Sequence, residues 1–139
     1  LEEFESYHPE PIRWSLEYKK QFIGNKNTKA IYVRQPEPDR EYVGEIFLSW
    51  NSDNVVEVCS ITVKPQYRGK NYGKLLIAIA MNWARTHRFE IMVGDAREGA
   101  SWNAFKYFGA WSVYRNKNWS NTGETYVHFF ISLNTDKQG

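Results

Sequence analysis

The chain has 139 residues, 17% of them aromatic, and a net charge of +2, which fits one domain, residues 1–139, with a real core and excludes a disordered polymer. That charge is too small to mark a nucleic-acid binder as a whole, and a single cysteine, Cys59, excludes an internal disulfide framework and suits a reducing compartment. With no membrane-length apolar run and no signal-peptide pattern, a cytoplasmic protein without a membrane partner is expected. The first residue is Leu1 rather than Met, which we read as a trimmed or processed start. Asn118-Trp119-Ser120 matches a glycosylation acceptor, set aside because no secretory signal accompanies it.

In chain order, Pro9 and Pro11 interrupt an aromatic, charged start, so the first helix is expected at or after Pro11, over residues 12–22. Its apolar stripe is not clean. Ala30–Arg34 reads as a strand, Gln35–Asp39 as a proline-paired loop, and Glu41–Trp50 as a second strand. Asn51–Asn54 is a hairpin turn before a third strand, Val55–Val63, apolar on both faces. Gly73–Arg85 is the best helix, with Tyr72, Leu75, Leu76, Ile79, Ala80 and Trp83 at helical spacing. Glu90–Gly94 is a short strand, Ser101–Phe108 a short helix stopped by Gly109, and Trp111–Tyr114 with Thr125–Leu133 a closing hairpin. A long helix between two strands implies a parallel crossover, and hairpins on either side imply a mixed sheet. The aromatic last hairpin is either core or a dimer surface, so both monomer and homodimer stay open.

The most informative stretch is Val63 to Leu76. A strand leads into a short basic, glycine-containing turn, which leads straight into a helix. Arg68, Lys70 and Lys74 crowd a helix start, where the macrodipole already disfavours cations. A bound polyanion turns that cost into a gain, and exposed backbone N–H groups at a helix N-terminus suit one. The turn lacks the Lys-Ser/Thr ending of a nucleotide-triphosphate loop.

Strand, proline, arginine and helix in this order resemble the GNAT superfamily of acyl-CoA-dependent N-acyltransferases. Its phosphate-binding signature is Arg/Gln-x-x-Gly-x-Gly/Ala at a strand-to-helix junction. Here Arg68-Gly69-Lys70-Asn71-Tyr72-Gly73 matches at the first and last positions, with Asn71 where the middle glycine belongs. Asn visits left-handed backbone readily and is also a favoured N-cap. Ile61-Thr62-Val63, Pro65 and Leu75-Leu76 fit the pattern as well. The resemblance implies an α/β fold (α+β in some schemes) with a mixed, mostly antiparallel central sheet flanked by helices. It implies acetyl-CoA as co-substrate and transfer of an acetyl group to a primary amine by direct attack in a ternary complex, and no metal is expected. The acceptor is a small molecule or a protein amine. The alternative is a non-catalytic acyl-CoA sensor or scaffold; a nucleic-acid-binding domain ranks below both, because only one short cluster is basic.

By the same resemblance, the backbone of Ile61, Thr62 and Val63 runs beside the pantetheine arm. The turn from Arg68 through Gly69, Lys70, Asn71, Tyr72 and Gly73 to Lys74 cradles the pyrophosphate, and Asn103 stands near the cofactor. Glu57 is the candidate base: period two puts it on the face of Cys59, Ile61 and Val63 unless a bulge intervenes, and its valine neighbours should desolvate it. Glu45 is a weaker substitute. The family's tyrosine acid, four residues before the helix-ending glycine, corresponds to Phe105, so Phe105 is expected in the core. Tyr107, two residues on, is the candidate acid, although it should face about 200° away. Tyr114 and Tyr72 are substitutes. Asp95, Arg97 and Glu98 either line an acceptor pocket or form a solvated loop. Lys64 is read as a solvated strand-end lysine, Cys59 as a small buried hydrophobe, His87 as a helix cap, His128 as a strand-face residue, and His8 as uninformative. No His/Cys/Asp cluster has metal spacing.

Overall fold

The computed structural model describes residues 2–8 and 13–134. After a short helix α1 (Glu2–Glu5) come α2 (Leu16–Gly24), β1 (Thr28–Arg34), β2 (Tyr42–Ser49), β3 (Val55–Val63), α3 (Tyr72–Thr86), β4 (Ile91–Arg97), α4 (Ala100–Tyr107), β5 (Trp111–Asn116) and β6 (Tyr126–Ser132). The six strands form one sheet in the order β1-β2-β3-β4-β6-β5. Every neighbouring pair is antiparallel except β3 and β4, which are parallel across the α3 crossover. The mixed sheet expected from the pattern, mostly antiparallel as the resemblance implies, is the one observed.

Helix α1 lies ahead of Pro9, so a helix does precede the prolines; the expected start at residue 12 falls among residues outside the described set. Ser15 caps α2, its hydroxyl accepting from the Tyr18 N–H at 3.1 Å. The reason for the unclean stripe of α2 is that its buried residue is a lysine, Lys19. Around it Trp14 and Phe22 pack on Phe47 of β2, both with ring centroids 5.5 Å away.

The strand covered on both faces is β2, buried from Val43 to Leu48, rather than β3 as expected. Its Glu45 and Phe47 face α1 and α2, and its Ile46 and Leu48 face the core beneath α3. Gly44 lets α3 come close: a Cβ there would lie 2.7 Å from the Thr62 carbonyl and 2.9 Å from Leu76 Cδ1. That approach sets the phase of α3. Its buried face is Leu76, Ile77, Ala80, Met81 and Ala84, while Leu75 and Ile79 are exposed, a rotation from the stripe read in the sequence. Small residues face the sheet where helix and strand are closest, so Ala80 and Ala84 point inward.

Candidate functional site

Strands β3 and β4 pair only from Val55–Ile91 to Val58–Gly94. Beyond that point β3 continues to Val63 and β4 to Arg97 without bonding each other, so the sheet splits into a V. A cleft of about 720 Å³ opens there, with residues 59–63 on one wall and 95–98 on the other. Its size suits a cofactor-scale ligand.

One end of the cleft is the turn before α3. Gly69 and Asn71 both take left-handed backbone, φ 79° and 67°. Asn71 occupies the N-cap position without a side-chain cap bond, so of its two suitabilities it uses the backbone one. The first helical rung is the Leu75 N–H donating to the Asn71 carbonyl at 3.0 Å, so the N–H groups of Tyr72, Gly73 and Lys74 precede the ladder and have no intrahelical acceptor. No heavy atom lies within 4 Å of a Cβ built at Gly69 or Gly73, which leaves the turn open to a ligand. Arg68, Gly69, Asn71, Tyr72, Gly73 and Lys74 all line the cleft. Free N–H groups, the positive end of a 15-residue helix and two cations make this end fit a phosphate-bearing ligand. Lys70 is exposed and outside the wall, its Nζ 6.0 Å from the Tyr67 ring centroid. Lys64 is buried, correcting the solvated reading: its Nζ lies 3.5 Å from Glu41 Oε1 and 5.7 Å from the Phe4 ring centroid. Glu41 also accepts from the Tyr67 hydroxyl at 2.6 Å, a bond that lowers the carboxyl pKa and raises that of the phenol.

The middle of the cleft turns on an irregularity in β3. Phe47 pairs with Ser60 and Leu48 with Val58, so Cys59 is an extra residue, a β-bulge. The bulge resets the alternation. Ile61 and Val58 share the core face with Ile46 and Leu48, while Glu57, Ser60 and Thr62 share the opposite face with Ser49, Phe47 and Glu45. Glu57 therefore does not stand on the face of Ile61 and Val63. It is exposed rather than desolvated and is not part of the cleft wall, although its charge reaches the Cys59 thiol. Burial pushes that thiol up to about 11, against a hydrogen-bonding contact with Ser49 Oγ at 3.0 Å. Glu45, the substitute base, is fully buried against Lys19 and away from the wall.

Asn103 lines the cleft from α4, together with Phe105. Phe105 is a core aromatic, stacked on Phe129 with centroids 4.3 Å apart. Tyr107 is 62% exposed and outside the wall, with Lys74 Nζ 4.0 Å from its ring centroid. The helical angle puts it there, as the spacing predicts. Of the substitutes, Tyr72 lines the cleft and Tyr114 does not; Tyr114 stacks on His128 at 5.0 Å.

Strand β4 runs three residues past its expected end, which carries Asp95 and Arg97 onto the wall with Glu98 just beyond, so these residues line the cleft rather than form a solvated loop. Asp95 Oδ1 meets His128 Nδ1 at 3.0 Å, Arg97 Nε meets Glu124 Oε2 at 2.6 Å, and Arg115 Nε lies 3.8 Å from Glu98 Oε1. His87 caps α3, its Nδ1 2.8 Å from the Trp83 carbonyl.

The residue that local sequence reading missed is His8. Following α1, it reaches the same wall, with Nε2 2.6 Å from Thr62 Oγ1 and 3.3 Å from Ser60 Oγ. Burial is the main cause lowering its pKa, helped by Arg97, Lys19 and Arg68 and opposed by Glu5. The segment is held in place by Glu5, which accepts from the Trp14 N–H at 2.8 Å and from Lys19 Nζ at 2.9 Å. No local pattern marks His8, because its partners lie 52 and 54 residues away.

A family model described as the acetyltransferase (GNAT) family matches residues 1–110. No curated protein matches the chain. Among solved structures, a nourseothricin acetyltransferase is similar at 16% identity and TM-score 0.66 over 78% of this chain and 66% of its own, so the chain spans just under two thirds of that enzyme. An aminoglycoside 6'-N-acetyltransferase complexed with coenzyme A is similar at 11% identity and TM-score 0.67, covering 85% and 78%. The ribosomal-protein-S18-alanine N-acetyltransferase from Escherichia coli is similar at 13% identity and TM-score 0.69, covering 95% and 83%. Likenesses at these identities establish the fold.

Proposed function

Because the chain belongs to the acetyltransferase (GNAT) family, we propose that it moves an acetyl group from acetyl-CoA to a primary amine by direct attack within a ternary complex. The observation that carries this reading is the single continuous cleft that joins the open N-terminus of α3 to the split between β3 and β4. Its charged end suits the diphosphate, with Arg68 and Lys74 as counter-charges and the N–H groups of Gly69 to Lys74 as donors. Lys70, exposed beside them, adds long-range attraction. The wall of Ile61, Thr62 and Val63 offers extended backbone to the pantetheine amides, with Asn103 opposite. Bound there, acetyl-CoA supplies an activated thioester carbonyl. The chain's own part is to orient the amine along the polar face that carries Ser60, Thr62 and Asp95, and to take up its proton.

Neither Glu57 nor Tyr107 stands on the wall. Glu57, exposed and off the wall, can act as base only through solvent, and Tyr107 can act as acid only with a shift of α4. The thiolate needs no strong acid to leave, since a thiol is far more acidic than an alcohol. The buried Phe105 at the position of the usual acid favours a second reading, a sensor that binds acyl-CoA without turnover.

Thermal unfolding with acetyl-CoA, against ATP and dephospho-CoA, tests the site. A ligand at 100 times its Kd stabilises by about 2.7 kcal/mol. A CoA-selective upshift that Arg68→Ala and Lys74→Ala reduce is expected; no shift at millimolar ligand sinks the proposal. Release of free thiol in the presence of a polyamine, an aminoglycoside or a peptide with an N-terminal alanine then separates enzyme from sensor.

A further inference from the structure

A primary amine is protonated at neutral pH and must lose a proton before its lone pair can attack a carbonyl. The cleft wall holds few groups able to take that proton. Asp95 is engaged by His128, Glu98 lies beside Arg115, and Cys59 is a half-buried thiol. His8 is the one imidazole on the wall among the described residues, and it touches the two hydroxyls that face the cleft from β3.

From this geometry we infer that His8 is the proton acceptor of the transfer, reached through the hydroxyls of Thr62 and Ser60. The inference rests on the acyl-transfer reading above. With the ring proton on Nδ1, Nε2 accepts a hydrogen bond from the Thr62 hydroxyl. An ammonium proton passes to Thr62 Oγ1 while the Thr62 proton passes to His8 Nε2. The products are a neutral amine with a free lone pair and an imidazolium, and no redox change occurs. The imidazolium then returns its proton to solvent through the cleft.

The groups around the ring suit both states. Glu5 of α1 favours the imidazolium, while Lys19 of α2, Arg68 of the turn and Arg97 of β4 disfavour it, and burial disfavours it most. The ring therefore rests neutral at pH 7, ready to accept, and Glu5 steadies the charge once it forms. The same placement accounts for an N-terminal segment that is tied down so firmly: Glu5 is bonded both to Lys19 and to the Trp14 backbone.

The test compares pH profiles of kcat/KM for the full chain, using acetyl-CoA and whichever of the three screened amines turns over fastest. His8→Gln keeps a hydrogen bond to Thr62 but cannot take a proton. It should lower kcat by about 100-fold or more, the usual scale of general-base catalysis, and abolish the acid limb that rises with pH, while Kd for CoA stays put. Imidazole added to His8→Ala should restore rate, which a purely structural role would not allow. Thr62→Val, which fills the same strand position, should lower kcat even if the His8 variants fold poorly. An unchanged acid limb in His8→Gln, or in Thr62→Val where the His8 variants do not fold, overturns the inference. So does loss of CoA binding in step with rate. If the wild-type chain binds CoA selectively yet acetylates no amine, the acyl-transfer reading itself falls and takes this one with it.

Discussion

Replacing Lys19 by Met should expose how the N-terminal segment is held over the site. Lys19 is 0% exposed, with Nζ 2.9 Å from Glu5 Oε2 and 3.0 Å from Glu45 Oε2. Methionine fills the volume but leaves two carboxylates facing each other without a cation. Removing one partner of a buried pair costs about 3–5 kcal/mol, a large part of the 5–15 kcal/mol of a typical domain. At roughly 4 °C per kcal/mol for a chain of this size, Tm should fall by about 10–20 °C. Burial already raises the Glu45 pKa, against the pull of Lys19, and the variant should raise it further. With the folded pKa above the unfolded one, the native state binds the extra proton, so stability is lost as pH rises through that window. The deficit should thus shrink from pH 8 toward pH 5. Glu45→Gln in the Lys19→Met background should recover part of it by removing one stranded charge. Urea unfolding followed by tryptophan fluorescence reads all three proteins, since Trp14 packs on Phe47 beside this network. If Lys19→Met at pH 7.5 lies within about 1 kcal/mol of wild type, the triad is not the anchor argued from its burial.

Three further outcomes follow from the cleft. Incubation with acetyl-CoA and no amine should leave Cys59 unacetylated by mass spectrometry, because a thiol at about 11 holds little thiolate at pH 7; an acetyl-Cys59 adduct that forms and is consumed by amine would replace direct attack with a two-step route. Gly94→Ala puts a Cβ 2.9 Å from Phe129 Cζ and 3.3 Å from Val58 Cβ, at the last paired residue before the strands diverge. Phe129 is buried against Phe105 and cannot yield freely, so a loss of about 1–3 kcal/mol is expected, and an unchanged midpoint would mean the sheet relaxes there. Asn71→Gly should match or exceed wild-type stability and Asn71→Ala should lose about 1 kcal/mol, since the position has φ 67°; equal Tm values for both would dismiss the left-handed turn as a constraint.

What could be read from the sequence follows from how local its cause is. The turn before α3, which we propose holds the diphosphate, was legible because strand, turn and helix start are contiguous and glycine, asparagine and cations each announce a role. The limits of β3 were legible from its β-branched run, and Val55–Val63 is the observed strand. The core place of Phe105 on α4 was legible from the family resemblance, and the outward place of Tyr107 from the helical angle between them. The faces of β3 did not follow, because nothing in Glu57-Val58-Cys59-Ser60 marks an extra residue; the bulge exists only in the register with β2. That one unmarked residue lies immediately after the last β3–β4 pair, Val58–Gly94. A bulged strand bends and twists away from its partner, so the irregularity that carries Glu57 off the expected face also stands where the sheet opens. The split in turn gives Ser60 and Thr62 a face with no strand beside them on that edge, and His8 bonds to both from a segment more than 50 residues away. The turn proposed to bind phosphate belongs to one stretch of chain, whereas the face to which we assign the proton transfer is made by a register shift and a distant contact. On that assignment, the least local feature of the fold sets which residues meet the amine.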